Sequence, residues 1–193
     1  MTNNPYLNNT AADVSLLVPL INSLGEDITG LELGVCRGIS YLTLLHNCPN
    51  IKKLYGVDSW KPYIDYLKPE PDYDPAYSVS EQQSEMNKFI TLSNLKYWWN
   101  DTKFEIIPKD SMEAIKEIPD KSLDFLFFDA MMSEEQTYQE ALAYYPKLKK
   151  GGYFMGDDAH CTKQVITPIM KVMDKFKNKN RLTVYNRVFF FKV

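Results

Sequence analysis

The sequence lacks the features of a secreted, membrane-spanning or disulfide-linked chain. It has only three cysteines, an odd number with no Cys-x-x-Cys pair, which indicates reduced thiols. No apolar run approaches the roughly 18 residues that would span a bilayer. The first residues do not combine a basic region with an apolar one, as a signal peptide would. We therefore expect a cytoplasmic protein without a membrane partner.

The overall charge is too small to indicate a nucleic-acid binder. The formal net charge is −3 at pH 7, and a basic footprint over the whole chain is absent. A hydrophobic content of 45% with 24% charged residues is typical of a globular protein. A chain of 193 residues has room for one full core. We therefore expect a single domain over 1–193 that acts on a small molecule. The sequence leaves open whether the protein forms a homodimer.

Short apolar runs alternate with amphipathic segments through most of the chain. The predicted strands cover residues 28–35, 53–58, 104–108, 123–128, 153–156, 182–185 and 188–191. The last two are joined by a tight turn at Asn186 and Arg187, so they must be antiparallel. A helix beginning at the Ser133 capping box is predicted to end at Lys149–Gly152. The pattern predicts an α/β fold: a doubly wound, mostly parallel seven-stranded sheet with a C-terminal antiparallel hairpin.

Two segments stand outside this alternation. The N-terminal segment 1–27 is predicted to be helical over 13–24, with a kink at Pro19. Residues 59–79 are rich in proline and tyrosine and are too long for an ordinary strand-to-helix connection. They are either a surface extension or a lid over a binding site. Their position directly after a strand end favours the lid.

The stretch from Leu31 to Ser40 carries the strongest functional signal. An apolar run turns through Gly34 and Gly38 into a helical pattern, so the backbone can approach a ligand closely. The helix start that follows offers free N–H groups. Asp58 ends the next apolar run, 24 residues after Gly34, where a dinucleotide-type fold places the acid that holds a ribose. Together they indicate a cofactor that contains adenosine.

Acidic residues also end the fourth and fifth predicted strands. Asp129 follows one and Asp157 and Asp158 follow the other, and neighbouring strand ends are about 4.8 Å apart. Three converging carboxylates suit a hard divalent cation such as Mg²⁺. The alternative is that Asp157 or Asp158 caps the last helix, although a cap does not explain Asp129.

The motif series resembles the class I methyltransferases that use S-adenosylmethionine. The matching segments are residues 32–38, 56–58, 108–111, 123–130 and 148–152, and the closing hairpin also matches the sheet of that family. Within the family, an Asp at the end of strand 4 followed by a paired Asp-Asp resembles the Mg²⁺-dependent O-methyltransferases of the catechol and macrocin types. The resemblance implies a Rossmann-like methyltransferase fold and Mg²⁺-assisted methylation of a small-molecule or sugar hydroxyl.

The resemblance also implies the role of each site residue. Glu32, Gly34 and Gly38 would border the methionine half of the cofactor, Asp58 would hold the ribose, and Asp129, Asp157 and Asp158 would hold the metal. The complete set implied for the cofactor is Glu32, Gly34, Cys36, Gly38, Asp58, Ser59, Trp60, Asp110, Ser111 and Asp129.

Two departures from the family pattern affect this transfer of roles. Cys36 stands where the middle glycine of the usual Gly-x-Gly-x-Gly occurs. Met131 and Met132 stand where relatives often carry a general base, so the base comes from elsewhere or the metal alone acidifies the hydroxyl. His160, two residues beyond Asp158, is the candidate for a displaced catalytic base.

Three functional hypotheses remain from the sequence. The leading one is methyl transfer from S-adenosylmethionine to oxygen, with or without a metal. An NAD-dependent oxidoreductase shares the glycine turn and the ribose acid, but Cys36 and Ile39 stand at the second and third glycine positions of its fingerprint. A non-catalytic member that only binds the cofactor is the third, supported by the absent base.

Overall fold

The chain folds into a seven-stranded sheet with helices on both faces, as predicted. The computed structural model describes residues 12–62, 80–98, 103–130 and 133–193. The strands are β1 (Ile28–Leu33), β2 (Ile51–Val57), β3 (Phe104–Ile107), β4 (Leu123–Phe128), β5 (Leu148–Gly156), β6 (Thr183–Tyr185) and β7 (Val188–Lys192). The α-helices are α1 (Ala12–Ser15), α2 (Val18–Asn22), α3 (Ile39–Asn47), α4 (Glu81–Trp98), α5 (Ser111–Ala114), α6 (Glu134–Tyr144) and α7 (Thr167–Lys175). A π-helical turn, Thr162–Ile166, leads into α7.

The strand order is β3-β2-β1-β4-β5-β7-β6. The strands β1 to β5 pair in parallel, whereas β7 runs antiparallel to both β5 and β6. The carboxyl ends of the five parallel strands therefore lie along one edge, which is where ligands bind in open α/β sheets. The predicted fold class, including its C-terminal antiparallel hairpin, is confirmed.

The central strand β4 shows why both faces of the sheet are covered. Successive side chains of a strand point to opposite faces. Phe125 and Phe127 belong to a core cluster with residues of α2 and α3, whereas Leu126 and Phe128 belong to a second cluster with residues of α6 and α7. All four side chains are buried. Each contributes about 1.5–3 kcal/mol by leaving water, so an all-apolar strand suits this position.

One predicted boundary is wrong. The helix that begins after Ser133 ends at Tyr144 and continues only as a 3-10 turn, because Pro146 cannot supply the next helical N–H. The segment Lys149–Gly152, predicted as the helix end, lies inside β5. Two backbone hydrogen bonds to Val193 hold this segment in the sheet, from Gly151 N–H and to Gly152 C=O.

The two segments outside the alternation are described only in part. The N-terminal helix is divided into α1 and α2, and Pro19 lies in the first turn of α2, where its missing N–H costs nothing. Residues 1–11 lie outside the described residues, as do 63–79 of the predicted lid. Over the described ranges, no helix combines the length and apolarity needed to cross a membrane.

Candidate active site

The turn after β1 brings the ends of β1 and β4 into direct contact. Gly34 has a φ of +86°, and a Cβ placed on it would lie 1.8 Å from the carbonyl oxygen of Asp129. Gly38 has a φ of +75° and precedes α3 as its N-cap residue. Both glycines are therefore required by backbone shape, and the turn keeps the start of α3 close to the carboxyl edge of the sheet.

Asp58 holds this turn from the end of β2. One carboxylate oxygen accepts the N–H of Cys36 at 2.7 Å, and the other accepts the N–H of Trp60 at 2.7 Å. The Trp60 indole N–H donates back to the carbonyl of Cys36 at 2.8 Å. Burial raises the pKa of Asp58, while these backbone donors act to lower it. Asp58 therefore organises the site as well as lining it.

Helix α4 supplies a polar stripe that the sequence analysis missed. Ser84, Asn87 and Thr91 are buried, and they recur at helical spacing on one face. The Thr91 hydroxyl donates to the Cys36 carbonyl at 2.9 Å, and Asn87 accepts the Arg37 Nε–H at 2.9 Å. The stripe thus fixes the loop between β1 and α3. The sequence signal that could have identified this stripe is a run of small polar residues on one face of a helix, where that face is not the solvated one.

Glu32 is fully buried beside the turn, and one of its carboxylate oxygens has no hydrogen-bond partner among the described residues. Its Oε1 accepts the Ser40 hydroxyl at 2.5 Å, whereas Oε2 has no hydrogen-bond partner among the described residues. Burial raises the pKa of Glu32 well above its usual value; the Ser40 bond opposes this, and the charges of Asp129 and Asp58 add to it. A buried carboxylate oxygen without a donor suits a cationic ligand group such as an ammonium.

Burial also determines the protonation state of the Cys36 thiol. The pKa of Cys36 is raised to about 11, mainly by burial and then by the charge of Asp58. The thiol therefore stays protonated at neutral pH and is not a nucleophile. It occupies the middle position of the glycine turn as a small residue, with a φ of +49°.

A cavity of about 190 Å³ opens at the carboxyl ends of β1, β2 and β3. Gly34, Asp58, Ser59, Asp110 and Ser111 all line it, so the structure brings together five of the residues predicted for the cofactor. The ring of Trp60 instead lies in the hydrophobic core, and its indole N–H stabilises the loop that Asp58 holds. The remaining wall consists of Leu33, Val57, Lys61, Pro62, Lys109, Ala130, Gln136 and Glu140.

Glu140 of α6 lines the cavity, and the sequence analysis did not predict it. It is almost fully buried, and its Oε1 accepts from the Ser111 hydroxyl and, at 3.0 Å, from the Gln136 amide. Its Oε2 has no hydrogen-bond partner in the described part of the chain. Burial raises the pKa of Glu140. Asp110, which was predicted as a cofactor residue, caps α5 by accepting the Met112 N–H at 2.9 Å.

The structure does not show the metal site predicted for Asp129 and the paired aspartates after β5. Asp158 is buried and accepts a hydrogen bond from the Arg187 guanidinium, while Asp157 lies 3.6 Å from Arg187 Nε. Asp157 also accepts the backbone N–H of Asp158 at 2.6 Å. Among the described residues, no three His, Cys, Asp or Glu side chains are grouped so that they could hold a metal ion. The donor types suit Mg²⁺, but their arrangement here does not fit it.

His160 lies at the outer side of this pair. Its side chain is half exposed, with Nδ1 3.7 Å from a carboxylate oxygen of Asp158 and Nε2 3.4 Å from Cys161 Sγ. The structure therefore places it next to an acid that can orient the ring, but it does not test the predicted role as a base. Met131 and Met132, at the usual base position, lie outside the described residues.

Comparison with known proteins agrees with this site. A family profile described as a methyltransferase domain matches residues 31–159. No curated protein sequence matches the chain. A Staphylococcus aureus structure described as a caffeoyl-CoA O-methyltransferase is similar at TM-score 0.63 and 14% identity, covering 94% of this chain and 83% of that one.

Two further structures share the fold. The O-methyltransferase NovP is similar at TM-score 0.61 and 20% identity, over 94% of this chain and 78% of that one. Spermidine synthase from Thermotoga maritima is similar at TM-score 0.60 and 15% identity, over 100% of this chain and 61% of that one. At these identities the likeness establishes the fold alone.

The site and the family match lead to one conclusion. The profile covers more than half of the chain and includes the glycine turn, Asp58 and the edge that carries the cavity. The buried Glu32 oxygen that has no partner among the described residues suits a cationic group such as the ammonium of S-adenosylmethionine. The match decides against the NAD-dependent oxidoreductase, and the chain belongs to the class I S-adenosylmethionine-dependent methyltransferases.

Proposed function

We propose that this enzyme methylates a hydroxyl oxygen of a small-molecule acceptor. The observation that carries the proposal is the cavity at the carboxyl edge, where four of the five parallel strands are followed by an aspartate. Two structural neighbours are described as O-methyltransferases, and this favours oxygen over carbon or nitrogen by analogy of fold. The acidic edge is consistent with this chemistry, since a hydroxyl must lose a proton as it is methylated.

The methionine end of the cofactor fits the inner part of this site. In this proposal Glu32 Oε2 accepts from the cofactor's ammonium; the support is that it is buried and has no donor among the described residues. Gly34 and Gly38 let the turn pack directly against Asp129 and Thr91, and in this account the turn so shaped borders the chain of the cofactor. In this account Asp58 receives the ribose hydroxyls through the lone pairs that the two backbone N–H groups leave unused.

The adenine end fits the outer part, between α5 and α6. Adenine carries an exocyclic amino group, which is a hydrogen-bond donor. Glu140 lines the cavity with one oxygen engaged by Ser111 and Gln136 and the other without a partner in the described part of the chain. We infer that this second oxygen accepts from the amino group, and that Ser111 positions Glu140 rather than contacting adenine itself.

The chemistry requires alignment and one proton acceptor. When bound, the cofactor supplies an electrophilic methyl group; the acceptor oxygen gains the methyl carbon, the sulfonium leaves as a neutral thioether, and the hydroxyl proton passes to a base. Most of the rate enhancement then comes from holding oxygen, carbon and sulfur in line. We propose His160 as the base, with Asp158 at 3.7 Å orienting its ring. We assign no step to a metal ion, because the described residues show no group of side chains that could hold one.

The proposal is tested by incubating the enzyme with methyl-labelled S-adenosylmethionine and a panel of phenols, catechols, sugars and amines. We expect label in a methyl ether and one S-adenosylhomocysteine released per ether formed. His160→Gln should lower kcat by about 10²–10⁴ and leave cofactor affinity unchanged. Label found only in N-methyl or C-methyl products would refute methylation of oxygen, and cofactor binding without any turnover would favour the non-catalytic alternative.

A further inference from the structure

The position of Arg187 follows from the pairing of β5 with β7. Gly156 pairs with Phe189, and each step outward along β5 corresponds to one step back along β7. Continuing this antiparallel register places Asp158 opposite Arg187. The Ala159 N–H donates to the Arg187 carbonyl at 2.6 Å, so the pairing persists beyond the strand ends. The arginine is therefore held at the aspartate pair by the sheet, not by a chance side-chain conformation.

The guanidinium provides the positive charge that this acidic edge requires. It donates to the Asp158 carboxylate and lies within 3.6 Å of Asp157. Asp158 is 7% exposed, and a buried carboxylate without a counter-charge is strongly unfavourable. Arginine is protonated at all relevant pH values and offers a planar set of donors that matches carboxylate geometry. The pair is thus compensated by the chain itself.

The same arrangement opposes a bound cation. Mg²⁺ requires oxygen ligands in a near-octahedral set, and the guanidinium already engages an oxygen of Asp158. A divalent ion on this pair would have to displace the guanidinium or tolerate a like charge beside it. In the part of the chain that the structure describes, the side chains are not grouped as a metal site.

We propose that Arg187 takes the place of the divalent cation at this acidic edge, so that the enzyme works without a metal. The inference deepens the proposed methylation of a hydroxyl and rests on it for its catalytic meaning. The acceptor hydroxyl then loses its proton to a side chain of this edge, without a metal to acidify it. The guanidinium holds Asp157 and Asp158 in place while this occurs.

The proposal is tested with cation binding, which does not depend on knowing the acceptor. MnCl₂ is titrated into the wild type and Arg187→Ala with S-adenosylhomocysteine present, and free Mn²⁺ is followed by electron paramagnetic resonance. We expect no saturable Mn²⁺ binding by the wild type and the same unfolding temperature in MgCl₂ and in chelator. Arg187→Ala should unfold at a lower temperature in chelator, bind Mn²⁺ at least about tenfold more tightly, and recover stability in MgCl₂.

The controls separate charge compensation from general damage. Arg181→Ala, at an exposed arginine, should behave as the wild type, and adding Asp158→Asn to Arg187→Ala should abolish the gained affinity. Saturable Mn²⁺ binding by the wild type, or no gain in Arg187→Ala, would overturn the proposal. If Arg187→Ala fails to fold, the wild-type titration still decides. Loss of S-adenosylhomocysteine binding would instead count against the proposed function.

Discussion

Replacing Glu32 by glutamine tests the cofactor site with the smallest change in shape. The variant keeps an oxygen for the Ser40 hydroxyl but replaces the unpartnered Oε2 with an amide that cannot accept from an ammonium. A hydrogen bond between charged groups contributes about 1.5–3 kcal/mol. At about 1.4 kcal/mol per decade, S-adenosylmethionine should bind roughly ten- to a hundredfold more weakly.

The same substitution should change how stability depends on pH. The folded state raises the pKa of Glu32 well above its ordinary value of 4.5, so between these two values the folded chain binds more protons than the unfolded chain. The stability that Glu32 contributes is therefore fully present below about pH 4.5, and it is lost as the pH rises through the pKa that Glu32 has in the folded state. Glu32→Gln removes this loss, and the variant should be more stable than the wild type at neutral pH.

Calorimetry and thermal unfolding measure both effects. Titrations in two buffers of different ionisation enthalpy should show proton release when the wild type binds S-adenosylmethionine, because an ammonium beside Glu32 favours its ionised form. Glu32→Gln should show no such release. Glu26→Gln, at an exposed glutamate, is the matched control. Unchanged affinity in Glu32→Gln, together with an unchanged pH profile of unfolding, would refute this role of Glu32.

Three further substitutions probe the turn and the cavity. Asp58→Ala leaves two backbone N–H groups without an acceptor, so it should lower the free energy of unfolding by about 1–3 kcal/mol for each of them. It should also weaken cofactor binding about ten- to a hundredfold. Unchanged affinity by calorimetry would show that Asp58 is not part of the site. Gly34→Ala should destabilise by at least about 2 kcal/mol through its clash with the β4 end, whereas Gly25→Ala has a similar φ with open space around it and should cost less in denaturant titrations. Glu140→Gln should weaken binding of S-adenosylhomocysteine about tenfold but not that of its inosine analogue, which lacks the amino group; equal losses for both ligands would contradict adenine recognition by Glu140.

The parts of the fold that the sequence predicts correctly depend on signals from residues that are close together in the chain. The apolar run of β4, the Ser133 cap and the glycine turn each depend on residues close in the chain, and the structure contains all three. Ser80 also caps the start of α4, with its hydroxyl accepting the Gln83 N–H at 3.2 Å. The wrong helix end at Lys149–Gly152 has a local cause in Pro146 and also a non-local one, because backbone hydrogen bonds to Val193 hold that segment in β5.

The parts of the site that sequence reasoning missed depend on distant pairings. Arg187 meets Asp158, and Ser111 meets Glu140, across 29 positions of the chain in each case. Both contacts depend on which elements become neighbours, which a periodicity does not specify. The predicted Mg²⁺ site illustrates this: proximity of the strand ends was inferred correctly, but the partner that neutralises the aspartates comes from the hairpin, whose register the sequence alone does not determine.

The most direct test of the central claim is a calorimetric titration of the purified wild type with S-adenosylmethionine and, separately, with NAD. The claim is that the carboxyl edge between β1, β2 and β3 is an S-adenosylmethionine site. It predicts saturable binding of one S-adenosylmethionine per chain and no heat of binding with NAD. Saturable binding of NAD, or no binding of S-adenosylmethionine, would contradict it.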